Sequence, residues 1–148
     1  MKNIIIELEK IITSNLQSVK NLENDLERKD REKHDQLKDI SLGIIDILDS
    51  FEQIEVGLIE KGLDKNEEAI KTMNRYKTIQ KKLLNLLQKY GVTKIEFPDN
   101  RLIVGLCEVV ETEPDNNRKN DEIISIIRNG YIRGKELIRA AQIIVVKN

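Results

Sequence analysis

The feature that most constrains this chain is an apolar repeat with seven-residue spacing near its start, within residues 4–60, which contain no proline. Two interleaved series carry the repeat at the a and d positions of a coiled coil: Ile5, Ile12, Val19 and Leu26, and Leu8, Asn15 and Leu22. A helix with so narrow an apolar stripe is not stable alone. The pattern therefore predicts a long helix that needs a partner helix.

The repeat changes register after Leu26. The next heptad positions, Lys29, Lys33 and Gln36, are polar, and the apolar series resumes at Leu37. A spacing of 11 residues inserts four residues into a heptad, which unwinds a coiled coil locally without ending its helices. We expect one continuous helix through residues 27–36, with a poorly packed seam in that stretch.

The simplest partner for this helix is a second copy of the chain, in parallel orientation. The residues predicted to pack in that homodimer are Ile5, Leu8, Ile12, Val19, Leu22, Leu26, Leu37, Ile40, Ile44, Ile47 and Phe51. The alternative is a monomeric helical hairpin with an unpacked N-terminal arm. That alternative leaves the apolar series from Ile5 to Leu26 with nothing to bury against.

A second helix follows a short turn. Gly62 is predicted to end the first helix, and Asp64 with Glu67 has the spacing of a capping box for the second, which extends to Tyr90. Two helices joined by a short turn pack antiparallel. In a dimer, two such hairpins would form a four-helix bundle.

The remaining residues predict a small β-rich module. We expect a strand in residues 101–112, a loop in 113–120 and a short helix in 121–130, capped by Asp121 and closed by Gly130. Residues 131–146 predict a hairpin that turns near Gly134, followed by a final strand from Ile138 to Val146. The predicted class is α+β, with a coiled-coil stalk (1–38), a helical hairpin (39–90) and a β-rich wing (91–148).

Composition excludes several classes of function. The formal net charge is −1, whereas nucleic-acid binding requires a basic face. No run of about 18 apolar residues is present, so no membrane association is expected. The single cysteine fits a reducing compartment, and we expect a cytoplasmic protein.

No catalytic constellation is visible in the sequence. Cys107 has no histidine near it in sequence, since the single histidine, His34, lies in the stalk. There is no glycine-rich phosphate loop after a strand, and no ligand spacing typical of a metal site. We expect no cofactor and no enzymatic activity.

Three segments resemble the GrpE family, the nucleotide exchange factors of DnaK-type chaperones. The matching positions are Leu42, Asp46, Leu48 and Asp49 in residues 41–54, Gly91 and Val92 in residues 87–96, and Gly130, Tyr131, Arg139, Ala140, Ala141 and Val145 in residues 126–148. Gly43 stands where the family usually has proline, so the resemblance is to a divergent member.

The resemblance implies a co-chaperone of protein folding and the stress response. It implies a homodimer in which one wing contacts the nucleotide-binding domain of a DnaK-type chaperone and favours the open cleft, so that ADP leaves. The residues assigned to that contact are Glu108, Glu111, Tyr131, Arg133 and Arg139. Arg139 is either a clamp on wing carbonyls or a partner contact, and Tyr131 either core or interface. The alternative function is a dimeric coiled-coil adaptor of the same fold without exchange activity.

Overall fold

The computed structural model describes residues 1–148, which divide into two compact units, Met1–Asp39 and Ile40–Asn148. A single helix, α1 (Lys2–Glu60), includes all of residues 27–36, so the predicted continuity through the change of register is confirmed. None of the helices has a stretch both long and apolar enough to span a bilayer.

The first unit is helical from Lys2 onward, and its apolar side chains face solvent. The predicted seam residues in this unit are each more than half exposed, from 52% to 62%: Ile5, Leu8, Ile12, Val19, Leu22 and Leu26. The side-chain contacts here are local, such as the Arg28 guanidinium 3.6 Å from Asp25 and 4.0 Å from Glu32. Exposed ion pairs of this kind contribute little stability, so pairing of this segment with a second helix stays a prediction.

We predict that α1 opens first where its heptad positions are polar. Lys29, Lys33 and Gln36 supply no apolar contact to a partner helix, so local opening costs least free energy there. In hydrogen-exchange mass spectrometry, amides of residues 27–36 should exchange fastest among those in the interior of α1. Uniform protection from residue 8 to residue 58 would contradict this prediction.

In the second unit, α1 turns sharply into the second helix. Gly62 adopts a left-handed conformation (φ 69°), as predicted for the residue that ends a helix, and its amide donates to the Ile59 carbonyl at 3.0 Å. A 3₁₀ turn (Leu63–Lys65) precedes α2 (Glu67–Lys89). The predicted capping box is wrong, because Asp64 lies within the 3₁₀ turn. Asn66 is the cap, and its side chain accepts from the Glu68 amide at 3.0 Å.

Six strands follow α2 and form two small sheets. The strands are β1 (Val92–Lys94), β2 (Cys107–Glu113), β3 (Ile123–Arg128), β4 (Tyr131–Arg133), β5 (Glu136–Arg139) and β6 (Ala141–Val146). One sheet has the antiparallel order β1-β4-β5. The other has the order β2-β6-β3, in which β2 is parallel and β3 antiparallel to β6. The predicted α+β class is therefore confirmed.

The helix predicted for residues 121–130 is wrong, since Ile123–Arg128 is a strand. Asp121 has φ 67° and sits in a turn instead of capping a helix. A short apolar run does not distinguish a buried helix from a strand by periodicity. The β-branched residues in "IISIIR" favour the strand, and pairing with β6 stabilises it.

In residues 131–146, the predicted turn near Gly134 is confirmed and the predicted final strand is wrong. Gly134 has φ 59° in the turn between the antiparallel strands β4 and β5, as expected. The predicted single strand from Ile138 to Val146 is interrupted at Ala140, and its halves belong to different sheets. The strand predicted for residues 101–112 begins only at Cys107. The preceding residues form a turn at Gly105, where φ is 88°.

Two apolar clusters hold the second unit together. The first joins both helices to the β1-β4-β5 sheet, and its buried members are Ile45, Leu48, Leu87, Val92, Tyr131 and Ile138. The second lies under the other sheet, with Ile123, Ala141, Ile143 and Val145 buried. The first cluster fixes the wing against α1 and so positions the site described next.

Candidate functional site

The most constrained polar contact between the wing and α1 is an ion pair between Asp49 and Arg139. The guanidinium binds both carboxylate oxygens, with Nη1 2.6 Å from Oδ2 and Nη2 2.9 Å from Oδ1. It also donates from Nη2 and Nε to the Asn129 carbonyl at 2.6 and 3.1 Å. Each side chain of the pair is only 14% exposed. Such two-pronged pairing fixes both distance and orientation.

Apolar packing brings these two charges together. Asp49 follows Leu48 on α1, and Arg139 follows Ile138 on β5. Leu48 and Ile138 are both buried in the first cluster, so their packing brings the two charged side chains together. Tyr131 pairs with Arg139 across the β4–β5 ladder, and the guanidinium carbon lies 5.6 Å from the centre of its ring. The ring thus covers one side of the cation while the carboxylate holds its polar edge.

Two further contacts tie the end of β3 and the residue that follows it to α1. Arg128 donates from Nε to Asp49 Oδ2 at 3.1 Å, and Asn129 donates from Nδ2 to Glu52 Oε1 at 2.7 Å. We call Asp49, Glu52, Arg128, Asn129 and Arg139 the junction. The junction joins residues that are 77 to 90 positions apart in sequence.

The junction shifts two ionisation equilibria in opposite directions. Burial alone would raise the pKa of the Asp49 carboxyl, but the hydrogen bonds and charges of Arg139 and Arg128 bring that pKa below its ordinary value. Burial, together with the negative charges of Glu52 and Asp49, raises the pKa of Tyr131 to about 12. The site therefore favours an ionised carboxylate beside a neutral tyrosine.

Acid should weaken the junction. Because the pKa of Asp49 in the folded protein lies below its ordinary value of 3.8, the stability it contributes is present above that value. It is lost as the pH falls through the lower folded-state pKa. We expect the difference in melting temperature between the wild type and Asp49→Asn to be largest near pH 7 and to shrink below pH ~4. A difference that stays constant from pH ~7 to ~2.5 would contradict this.

The residues assigned to partner contact do not form one cluster. Arg139 belongs to the junction, which favours the clamp over the partner contact. Tyr131 is 1% exposed, which favours the core over the interface. Glu108 and Glu111 are exposed on β2, in the other sheet, and Arg133 is half-buried at the end of β4. Contact of any of them with a partner stays a prediction.

The predicted dimerisation residues of the second unit fall into two groups, one exposed and one packed within the unit. Ile40 and Ile47 are exposed at 60% and 50%, whereas Ile44 packs on the first cluster. Phe51 packs within the hairpin, with its ring centre 5.6 Å from that of Tyr76. Leu37, which belongs to the first unit, is half-buried.

The sequence singled out Arg139 and, through the family resemblance, Asp49, but it did not predict that the two residues pair. The position of Arg139 in the apolar run "LIRAAQIIVV" indicated that the cation must be paired. Nothing local pointed to Asp49, 90 positions away, as the partner. No sequence pattern distinguishes Glu52, Arg128 and Asn129 from the other polar residues of the chain.

The site offers hydrogen bonds and charge, and no metal-binding arrangement. No group of three or more His, Cys, Asp or Glu side chains is placed to hold a metal ion. Cys107 is half-buried, with its Sγ 3.0 Å from the Ile103 carbonyl oxygen. What the second unit presents is a β-rich wing fixed to a helical hairpin.

The chain is a long N-terminal helical region followed by a small β-rich module, and a part-buried ion pair fixes that module to the helices. This architecture is a helical scaffold that presents a wing. The family model described as GrpE matches residues 1–147, so the chain belongs to the GrpE family.

Curated relatives agree with this assignment. Protein GrpE of Methanosphaera stadtmanae is 30% identical over 126 residues, covering 84% of this chain and 69% of the relative. Protein GrpE of Francisella tularensis subsp. tularensis (strain WY96-3418) is 26% identical over 112 residues, covering 76% of this chain and 55% of the relative. The chain thus spans about half the length of the Francisella relatives that it matches.

Proposed function

We propose that this chain is a homodimeric co-chaperone of the cytoplasm that promotes ADP release from a DnaK-type chaperone. In this proposal the wing (91–148) binds the chaperone's nucleotide-binding domain and stabilises its open cleft. The hairpin (39–90) and stalk (1–38) form the dimer. Membership of the GrpE family supports the general role, and the junction supports the mechanism.

The observation that carries the mechanism is the set of contacts that attach the wing to α1. An exchange factor works by binding the open conformer of its target more tightly than the closed one. If the wing could swing on α1, it would follow both conformers and discriminate less between them. The Asp49–Arg139 pair, the Asn129 carbonyl and the buried Leu48 and Ile138 restrict that swing.

The exposed side of the wing supplies candidate contact residues. Glu108 and Glu111 lie on β2 beside Val109 and Val110, which are 40% and 46% exposed. Carboxylates flanking apolar side chains suit a surface with complementary cations around an apolar patch. We propose Glu108 and Glu111 as direct contacts, and Arg133 as a contact at the end of β4. Arg139 and Tyr131 would act through the position they give the wing.

Apolar side chains left exposed on the hairpin support the dimer. Ile40, Ile47 and Ile54 recur every seven residues along α1 and are 60%, 50% and 45% exposed. On α2, Ile79 and Leu86 have the same spacing and are 44% and 42% exposed. Exposed apolar stripes on both helices of a hairpin are what a four-helix bundle buries.

We predict a parallel dimer. Sedimentation equilibrium at micromolar concentration should give twice the chain mass of 17.2 kDa. On a Cys107→Ser background, Ile12→Cys should form an interchain disulfide under oxidation, because a parallel seam places the two copies of position 12 side by side. As a control, Thr13→Cys, one position around the helix, should crosslink more slowly. A monomer would sink the dimer model, and a dimer that fails to crosslink at position 12 would sink its parallel orientation.

Binding to the chaperone provides a direct test of the function. If the chain prefers the open cleft, it must bind the nucleotide-free nucleotide-binding domain more tightly than the ADP-bound one, since coupling between two ligands is reciprocal. Isothermal titration with each form should show an affinity ratio of at least about tenfold. Equal affinities, or no binding, would refute the exchange mechanism and leave the adaptor alternative.

A further inference from the structure

An open groove of about 700 Å³ lies between the second half of α1 and the β2-β6-β3 sheet. One wall is α1 from Asp46 to Glu60, and the other is formed by Ile126, Ile127, Arg128 and Gln142. The volume is within the range of protein sites that take a ligand of drug or peptide size.

The groove is acidic. Its lining contains four carboxylates, Asp46, Asp49, Glu52 and Glu60, and one cation, Arg128. The residues from 40 to 60 include five acidic side chains and no lysine or arginine. The last turn of α1 has no basic residue, although the partial negative charge at a helix C-terminus favours a cation. Arg139 and Arg128 both pair with Asp49, so the four carboxylates and these two cations together carry a net charge of −2. The negative charge comes from Asp46, Glu52 and Glu60.

Apolar side chains stand among these charges. Val56, Ile126 and Ile127 line the groove and are 53%, 44% and 57% exposed. Ile127 is the extra residue of a β-bulge, because Ile126 pairs with Ile143 and Arg128 with the adjacent Gln142. Bulges re-aim a side chain, and this one places an isoleucine in the groove.

The groove would stay open in the proposed dimer. Ile40, Ile47 and Ile54 mark the exposed seam of α1. At about 100° per residue, Asp49 lies about 200° around the helix from Ile47, on the opposite side. Glu52 and Val56 also lie on that opposite side, so a second copy seated on the seam leaves this part of the groove uncovered.

We propose that this groove binds a short basic segment of a partner protein that also carries an apolar side chain. Lysine or arginine side chains would pair with Asp46, Glu52 and Glu60, while the apolar side chain packs on Val56, Ile126 and Ile127. The acidic lining repels nucleic acids and anionic membranes. The groove shares Asp49, Glu52 and Arg128 with the junction, and its Gln142 pairs with Glu108 of β2. The proposal nevertheless does not depend on the exchange function, because peptide binding is measured without the chaperone.

The test uses a short fluorophore-labelled peptide, Lys-Leu-Lys-Ser-Leu-Lys, and fluorescence anisotropy with the full chain at low salt. Two control peptides replace every lysine by glutamate or every leucine by serine. We expect the basic–apolar peptide to bind, the acidic one not to bind, and the leucine-free one to bind at least about fivefold more weakly. Equal binding of the lysine peptides with and without leucine would overturn the apolar part of the proposal.

Matched variants separate the groove from diffuse attraction. Asp46→Asn with Glu60→Gln removes two groove charges, and Glu7→Gln with Glu9→Gln removes two exposed charges from the first unit. We expect about tenfold weaker binding for the first pair and less than about twofold for the second. Ile127→Ser should weaken binding more than Val110→Ser, an exposed residue outside the groove. Equal losses within either comparison would overturn the assignment to this groove.

Discussion

Arg139→Ala is expected to destabilise the second unit by about 3 kcal/mol, because it leaves the Asp49 carboxylate and the Asn129 carbonyl without their donor. Both side chains of the pair are 14% exposed, so water replaces the lost contacts only in part. Urea denaturation followed by tyrosine fluorescence measures the loss. The same variant should also lose most of its stimulation of ADP release, since the wing then moves on α1.

Two comparison variants make this result interpretable, one conservative at the same position and one at a neighbouring junction residue. Arg139→Lys keeps the charge but cannot bind both carboxylate oxygens at once, so its stability should fall between wild type and alanine. Arg128→Ala removes a single contact from a side chain that is 44% exposed and should cost less than about 1 kcal/mol. An Arg139→Ala variant with wild-type stability and lost exchange would show that Arg139 is a partner contact. Wild-type stability with wild-type exchange would exclude both roles.

Gly130→Ala is expected to destabilise the wing by roughly 3 kcal/mol or more. A β-carbon at this position would lie 2.4 Å from the Ala141 amide nitrogen and 2.9 Å from the Arg139 carbonyl oxygen. Both are backbone atoms of neighbouring strands, so the connection between β3 and β4 would have to move. Because the Gly130 carbonyl also accepts from the Ile95 amide at 2.9 Å, that movement would disturb the link to the segment after β1.

Gly43→Ala is the matched control for this substitution. A β-carbon at Gly43 meets nothing within 4 Å, and the residue lies within α1. Alanine there should raise stability by about 0.5–1 kcal/mol, through its higher helix propensity. The two variants make the same chemical change, so opposite signs in thermal denaturation would isolate the steric cause. A tolerated Gly130→Ala would mean that Gly130 does not pack against the backbone of Arg139 and Ala141 as closely as the structure has it.

The helical half of the fold was predictable because its signals are local. The heptad spacing, the absence of proline and the left-handed Gly62 act within a turn or two of where they occur. The main error there, the cap of α2, arose because Asp64 and Asn66 are both good capping residues. Only the backbone path through the 3₁₀ turn decides between them.

The β-rich half was harder because its strands are defined by distant partners. Ile123–Arg128 becomes a strand through β6, whose residues lie some 14 to 22 positions later. Ala140 interrupts the closing segment so that β5 and β6 can enter different sheets, and no local residue pattern indicates that change. The junction depends on the most distant contact of these. The sequence indicated that Arg139 needs a counter-ion, but only the folded chain brings Asp49, 90 positions earlier, into contact with it.

In the proposed mechanism, a wing held rigidly by the junction accelerates ADP release from a DnaK-type chaperone. The direct measurement is the dissociation rate of a fluorescent ADP analogue from such a chaperone, by stopped flow, with wild type, Arg139→Ala and Arg128→Ala at saturating concentration. We expect wild type and Arg128→Ala to raise the rate at least about tenfold and Arg139→Ala to raise it far less. An unchanged rate with wild type would contradict the exchange function, and full acceleration by a destabilised Arg139→Ala would contradict the rigid wing.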